Sequence, residues 1–133
     1  MRVLLGSVVF AVLSGCAMPT DDILNNNFVS VVPTAPPPEL VGNWTGSSGP
    51  YLMTLVIHRD GTALSCHAWN ERNSVSRAKF RDGYIYMQDG TRMSFASSAG
   101  GVTATSSYSG SKPIHFVSDP QLSASAPYCT KSL

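Results

Sequence analysis

Three Asp-Gly dipeptides, Asp60-Gly61, Asp82-Gly83 and Asp89-Gly90, each stand between two short runs of apolar, β-branched and aromatic residues. A tight turn that matches the twist of its flanking strands needs positive φ, which Asp and Gly adopt at little cost, so each dipeptide marks a β-hairpin. Around these turns the chain divides into eight expected strands: Leu40–Thr45, Tyr51–His58, Thr62–Trp69, Ser74–Arg81, Tyr84–Gln88, Thr91–Ser97, Val102–Ser107 and Ile114–Val117. A meander of that length loses its exposed edges by curling into a barrel or near-barrel. No βαβ spacing occurs. The expected fold class is therefore all-β, a small antiparallel meander or barrel of about eight strands. Near the C-terminus, Asp119-Pro120 pairs a capping residue with a proline at the first helical position. It predicts a short helix that starts at Pro120, continues over Ser123–Ala126 and is stopped by Pro127, after which Tyr128-Cys129 returns to the barrel.

The other end of the chain has a different character. Arg2 supplies a minimal positive region and Val3–Leu13 an apolar run, which is signal-peptide architecture. The run is shorter than the roughly 20 apolar residues that span a bilayer. It ends in Leu13-Ser14-Gly15-Cys16, which resembles the lipobox of bacterial lipoproteins. That resemblance implies removal of residues 1–15 and acylation of Cys16 with chains such as palmitate, two or more of which hold a protein on a membrane stably. Ala17 follows the cysteine, where lipoproteins retained at the inner membrane carry aspartate. The resemblance therefore points to the outer membrane, with the domain facing the periplasm. Residues 16–38 read as a tether, with Asn25-Asn26-Asn27 and the proline-rich Pro33-Thr34-Ala35-Pro36-Pro37-Pro38 favouring an extended spacer. Phe28-Val29-Ser30-Val31-Val32 is a β-prone patch within it, read as a loosely packed extended segment, with an edge strand or a docking element as alternatives.

What remains, 39–133, is about 95 residues, enough for one core but marginal without a staple. With Cys16 assigned to the anchor, Cys66 and Cys129 form an even remainder, which in an oxidising periplasm reads as a disulfide. A formal net charge of +1 creates no overall field that would gather nucleic acid.

Catalytic chemistry finds no constellation in the sequence. Asp60, Asp82 and Asp89 are turn residues, Asp119 is a cap, Asp21 and Asp22 lie in the tether, and no pair of acids converges. Ser47-Ser48 lacks the spacing of a nucleophile elbow. His67 adjoins Cys66, but neighbours on one strand face opposite ways, and an oxidised cysteine is not a thiolate ligand. We therefore expect no enzyme activity, metal or cofactor. Period-two geometry aligns Arg77, Lys79 and Arg81 on one face of a strand, with Arg72 just before. This row is a candidate contact for an anionic partner such as lipopolysaccharide phosphates, peptidoglycan carboxylates or an acidic envelope protein. A solvated outer face that discourages edge pairing is the competing account. Trp44, Trp69, Phe80, Phe95 and Phe116 are the candidate barrel core.

Gly42-Asn43-Trp44, at the head of the meander, resembles the G-x-W motif that opens lipocalin and lipocalin-like barrels. The resemblance implies that Trp44 plugs the closed end, with Arg92 or Lys112 as candidates for the arginine that packs on it. Lipobox, G-x-W, Asp-Gly turns and a terminal Tyr-Cys together resemble the small lipoproteins of Acinetobacter-type bacteria. The function expected on these grounds is a non-catalytic envelope binding or accessory module. A lipocalin-like carrier of a small apolar ligand, or an inhibitor of a lysozyme-like hydrolase, are the alternatives. At this size a barrel filled by its own side chains is expected rather than a hollow one.

Overall fold

The computed structural model describes residues 26–108 and 110–133. The expected signal peptide 1–15 and the acylated Cys16 lie outside the described residues. Eight strands follow in order: β1 (Gly42–Ser48), β2 (Tyr51–Ile57), β3 (Thr62–Trp69), β4 (Arg72–Arg81), β5 (Tyr84–Met87), β6 (Arg92–Ser98), β7 (Gly101–Ser106) and β8 (Ile114–Ser118). Each pairs antiparallel with the next, and β8 returns to β1, so the sheet is a closed barrel without free edges. Closure runs through Trp44↔Ser118, Thr45↔Val117 and Gly46↔Phe116. Gly46 permits it, because a Cβ there would collide with the carbonyl of His115.

The expected barrel is thus present, with strand limits shifted by a few residues. The largest shift is at β1, where Leu40 belongs to a 3-10 turn (Pro38–Leu40) and not to the strand. The Asp82-Gly83 turn has positive φ at both residues, 49° and 85°, as a two-residue hairpin requires. Asp60 and Asp89 accept the amides of Thr62 and Thr91, each at 2.9 Å, which is the turn chemistry read from sequence.

Alternation sends Trp44, Met53, Leu55, Ile57, Ala63, Ala78, Phe80, Ile85, Met87, Met93, Phe95, Val102, Ala104 and Phe116 into one core. Phe95 and Phe116 meet edge to face at 6.2 Å. Trp44 closes one end with Leu40, its indole Nε1 donating to the Leu40 carbonyl at 3.0 Å. The turns β2–β3, β4–β5 and β6–β7 lie at this closed end. The other four inter-strand connections surround the mouth.

A second, smaller core lies outside the barrel. Cys66 and Cys129 are disulfide-bonded and fully buried, packed with Ala68, Ala126 and Leu133. Cys129 sits in α1 (Pro127–Ser132), which packs on β3 and β4. The expected helical turn is therefore one segment late. Asp119 caps no helix: its carboxylate accepts the Ala124 amide at 3.2 Å, five residues on, and Leu122 adopts φ 57°, which breaks the turn before a helix can grow. Pro127 then opens α1 instead of ending a helix, since its missing N–H costs nothing at the first position.

Candidate functional site

At the mouth, opposite Trp44, the barrel opens into a cup of about 610 Å³. Its buried floor is Met53, Met87 and Met93, and its wall carries Tyr51, His67 and Ile114. Asp89 and Lys112 line it from the β5–β6 and β7–β8 connections. Met53 and His67 are direct cross-strand partners on the inward face, which is why they meet here. The His67 Nδ1 lies 3.4 Å from the Ser65 hydroxyl, and the Tyr51 ring stands edge-on at 6.1 Å. Burial pushes the imidazole below its ordinary pKa, partly opposed by the negative charge of Asp89. A neutral histidine above three thioethers suits an apolar guest that carries one polar handle. Among the described residues no three of His, Cys, Asp and Glu converge on a point.

Of the five residues expected in the core, Trp44, Phe80, Phe95 and Phe116 are buried inside. Trp69 is not. It remains 40% exposed and packs against Tyr51 with ring centroids 5.7 Å apart. It ends β3 opposite Arg72, so it stands on the rim above the last core layer. Arg92 and Lys112 do not reach Trp44 either. The Arg92 guanidinium lies 5.0 Å over the Tyr84 ring, and Lys112 lines the mouth.

The basic row on β4 divides in two. Arg72 and Arg77 are exposed. Lys79 and Arg81 instead hold the N-terminal segment, part of the stretch expected to be a spacer. Lys79 Nζ donates to the Phe28 carbonyl at 2.7 Å and lies 4.4 Å over the Phe28 ring. Arg81 donates to the Val32 carbonyl at 3.1 Å. Thr34 completes the contact, donating its amide to Phe80 at 2.9 Å and accepting that of Asp82 at 3.2 Å. Residues 26–36 thus form a strap along the barrel wall, with Phe28, Val31 and Pro36 buried. It begins where Asn26 donates to the Gln88 carbonyl (3.0 Å) in the β5–β6 turn, and it descends to the closed end. Phe28–Val32 takes neither a loose extended form nor an edge strand, because a closed barrel offers no edge to join and Phe28 gains cover on β4.

Sequence reasoning also missed the buried polar cluster outside β1 and β2. Thr45 donates to the Asp119 carboxylate at 2.9 Å and bonds Thr54 at 3.0 Å, and Thr54 meets the Ser125 hydroxyl at 2.8 Å. Burial by itself would raise the Asp119 pKa. The Ala124 amide and the Thr45 and Ser123 hydroxyls outweigh it and hold the carboxyl below the usual range.

Residues 25–133 match the family described as "Bacterial lipocalin LPS transport optimiser YedD". The chain belongs to the YedD family. Among solved structures, the lipoprotein YedD from Klebsiella pneumoniae subsp. pneumoniae is 18% identical with a TM-score of 0.54, covering 79% of this chain and 90% of that one. A lipocalin lipoprotein affecting virulence in Streptococcus pneumoniae is 16% identical with a TM-score of 0.53, covering 64% and 98%. A further Streptococcus pneumoniae lipoprotein gives 17% identity, the same TM-score of 0.53 and the same coverage. These likenesses share the fold. No curated protein matches the sequence. The YedD assignment places this chain in a bacterial lipocalin family, in keeping with its closed barrel, and Trp44 holds the place at the closed end that the G-x-W resemblance implied.

Proposed function

We propose that the protein is a non-catalytic accessory lipoprotein of the outer membrane, acylated at Cys16 and facing the periplasm. In this reading it assists lipopolysaccharide transport, the role in the YedD family's description, by binding a component of the envelope. The observation that carries binding over bulk carriage is the filled barrel axis. Leu55, Ile85 and Ala104 have no exposed surface, and Phe95 and Phe116 occupy the centre. A barrel axis filled by these side chains leaves no room for a multi-chain lipid along it. Of the β4 row, Arg72 and Arg77 are the exposed cations that could meet an anionic partner, since Lys79 and Arg81 hold the strap.

The test combines native mass spectrometry with complementation. Protein extracted from membranes should carry no lipid beyond its covalent anchor. The wild-type chain should restore the outer-membrane barrier of a deletion strain, and Cys16→Ser should not. Stoichiometric lipopolysaccharide or phospholipid held inside the domain would overturn the reading in favour of carriage. A second, narrower reading is favoured by the cup, whose volume of about 610 Å³ falls within the range of small-ligand sites. A single small apolar group fits that space, with the methionines adapting around it.

A further inference from the structure

We propose that the mouth of the barrel rests on the surface of the membrane that holds the anchor, with Trp69 and Tyr51 in the headgroup region. The inference rests on the lipid anchor of the preceding reading, and it adds the pose and the contact surface.

Two independent observations lead to it. The first is where the strap sits relative to Cys16. Asn26 is fixed to the β5–β6 turn, at the mouth end of the wall, while the strap continues from there to the closed end. Ten residues separate Cys16 from Asn26, and ten residues reach ~36 Å when fully extended. β4 has ten residues, and at ~3.3 Å per residue and a tilt of ~40° it makes a wall ~25 Å high. With the mouth toward the bilayer the chain has slack. Turned over, the barrel would carry Asn26 away by its own height and use most of the available length.

The second observation is the chemistry of the rim. Trp69 and Tyr51 pack on each other there, Trp69 is 40% exposed, and neither completes the core. An aromatic pair with an apolar body and a polar atom is what the membrane–water interface favours. The charged groups around it are Arg72, Arg92 and Lys112 against Glu71 and Asp89, a nearly balanced set. The contact therefore depends on the aromatics and not on anionic lipid, and it persists in salt. One consequence is that the methionine-floored cup opens onto the bilayer.

The chain has two tryptophans, one at each end of the barrel, and this makes the pose measurable. Lipidated full-length protein is reconstituted into phosphatidylcholine vesicles brominated close to the headgroup. Flotation reports anchoring, and quenching of tryptophan emission reports contact. The wild type should float and show a quenched component that is lost in Trp69→Phe, leaving the enclosed Trp44 unquenched. A spacer of roughly twenty Gly and Ser residues inserted after Leu24 should abolish the quenching without affecting flotation. Protein that does not float overturns the anchor and the pose together. Protein that floats with unquenched Trp69, with Trp44 equally quenched in Trp69→Phe, or with quenching unchanged by the spacer overturns the pose alone.

Discussion

Replacing Cys66 and Cys129 together by alanine probes how far this small barrel depends on its external staple. The bridge joins residues 63 apart in sequence. Closing a loop of that length removes ~14 cal/mol/K from the unfolded chain, or ~4 kcal/mol at 25 °C in the chain-entropy model. That is a large share of the ~5–15 kcal/mol by which domains are held folded. The loss should not spread evenly. α1 has six residues, well short of the ~12–15 at which an isolated helix becomes marginal in water, so it depends on its tertiary contacts. Urea titration followed by circular dichroism and tryptophan emission should show the double variant less stable by about 4 kcal/mol. Its m-value should rise, because the denatured chain is no longer cross-linked. Hydrogen exchange should find the amides of α1 opening first while β6–β8 stay protected to the global limit. A loss below ~1 kcal/mol, with α1 still protected, would refute the staple argument.

Asp119→Asn should destabilise the fold by ~1–3 kcal/mol at neutral pH, since the buried Thr45 hydroxyl and Ala124 amide lose a charged acceptor. Because the Asp119 pKa is depressed in the folded state, its stabilisation is present above the unfolded value of ~3.9 and is lost as pH falls through the folded one. Urea midpoints measured at acid pH should therefore fall for the wild type and flatten for the variant. His67 should titrate by NMR below its ordinary value of ~6.5, so its share of stability is full above that pH and declines as pH falls through the folded pKa. Titration at or above the ordinary value would contradict its buried place in the cup. Gly61→Ala should unseat the strap, because Gly61 has φ 85° and a Cβ there would collide with the Thr34 carbonyl. Faster amide exchange at Thr34 would report it, and unchanged exchange would show that the strap yields without cost.

Local chemistry carried the barrel into view. Asp82-Gly83 announces its turn through two residues that accept positive φ, and alternation along β4 and β6 correctly turns Phe80 and Phe95 inward. Trp69 shows the limit of that logic. Alternation assigns a face but not a height, and Trp69 has an inward position one layer above the packed core. The cup was legible in part, since the hairpin between β2 and β3 pairs Met53 with His67 across two inward positions. Adjacency to Cys66 drew attention to His67 along the strand, when its useful neighbour was across it. The strap had no local signature, because Lys79 and Phe28 meet across 51 residues of sequence. Leu122 had none either, because positive φ in a leucine is imposed by the contacts of Asp119 and Thr130 around it.

The strap covers part of β4, α1 lies on β3 and β4, and 119–125 covers β1 and β2, so the two halves of the chain's periphery crowd the same flank. The opposite flank, β6 to β8, presents His115 and Val117 to solvent beside a half-buried Thr103, and none of the strap, α1 or 119–125 among the described residues lies over it. Any protein that grips this barrel from the side finds its approach there, clear of the strap and α1. Affinity handles added after Leu133 would leave it unobstructed, whereas a label at Val117 would occupy the approach itself.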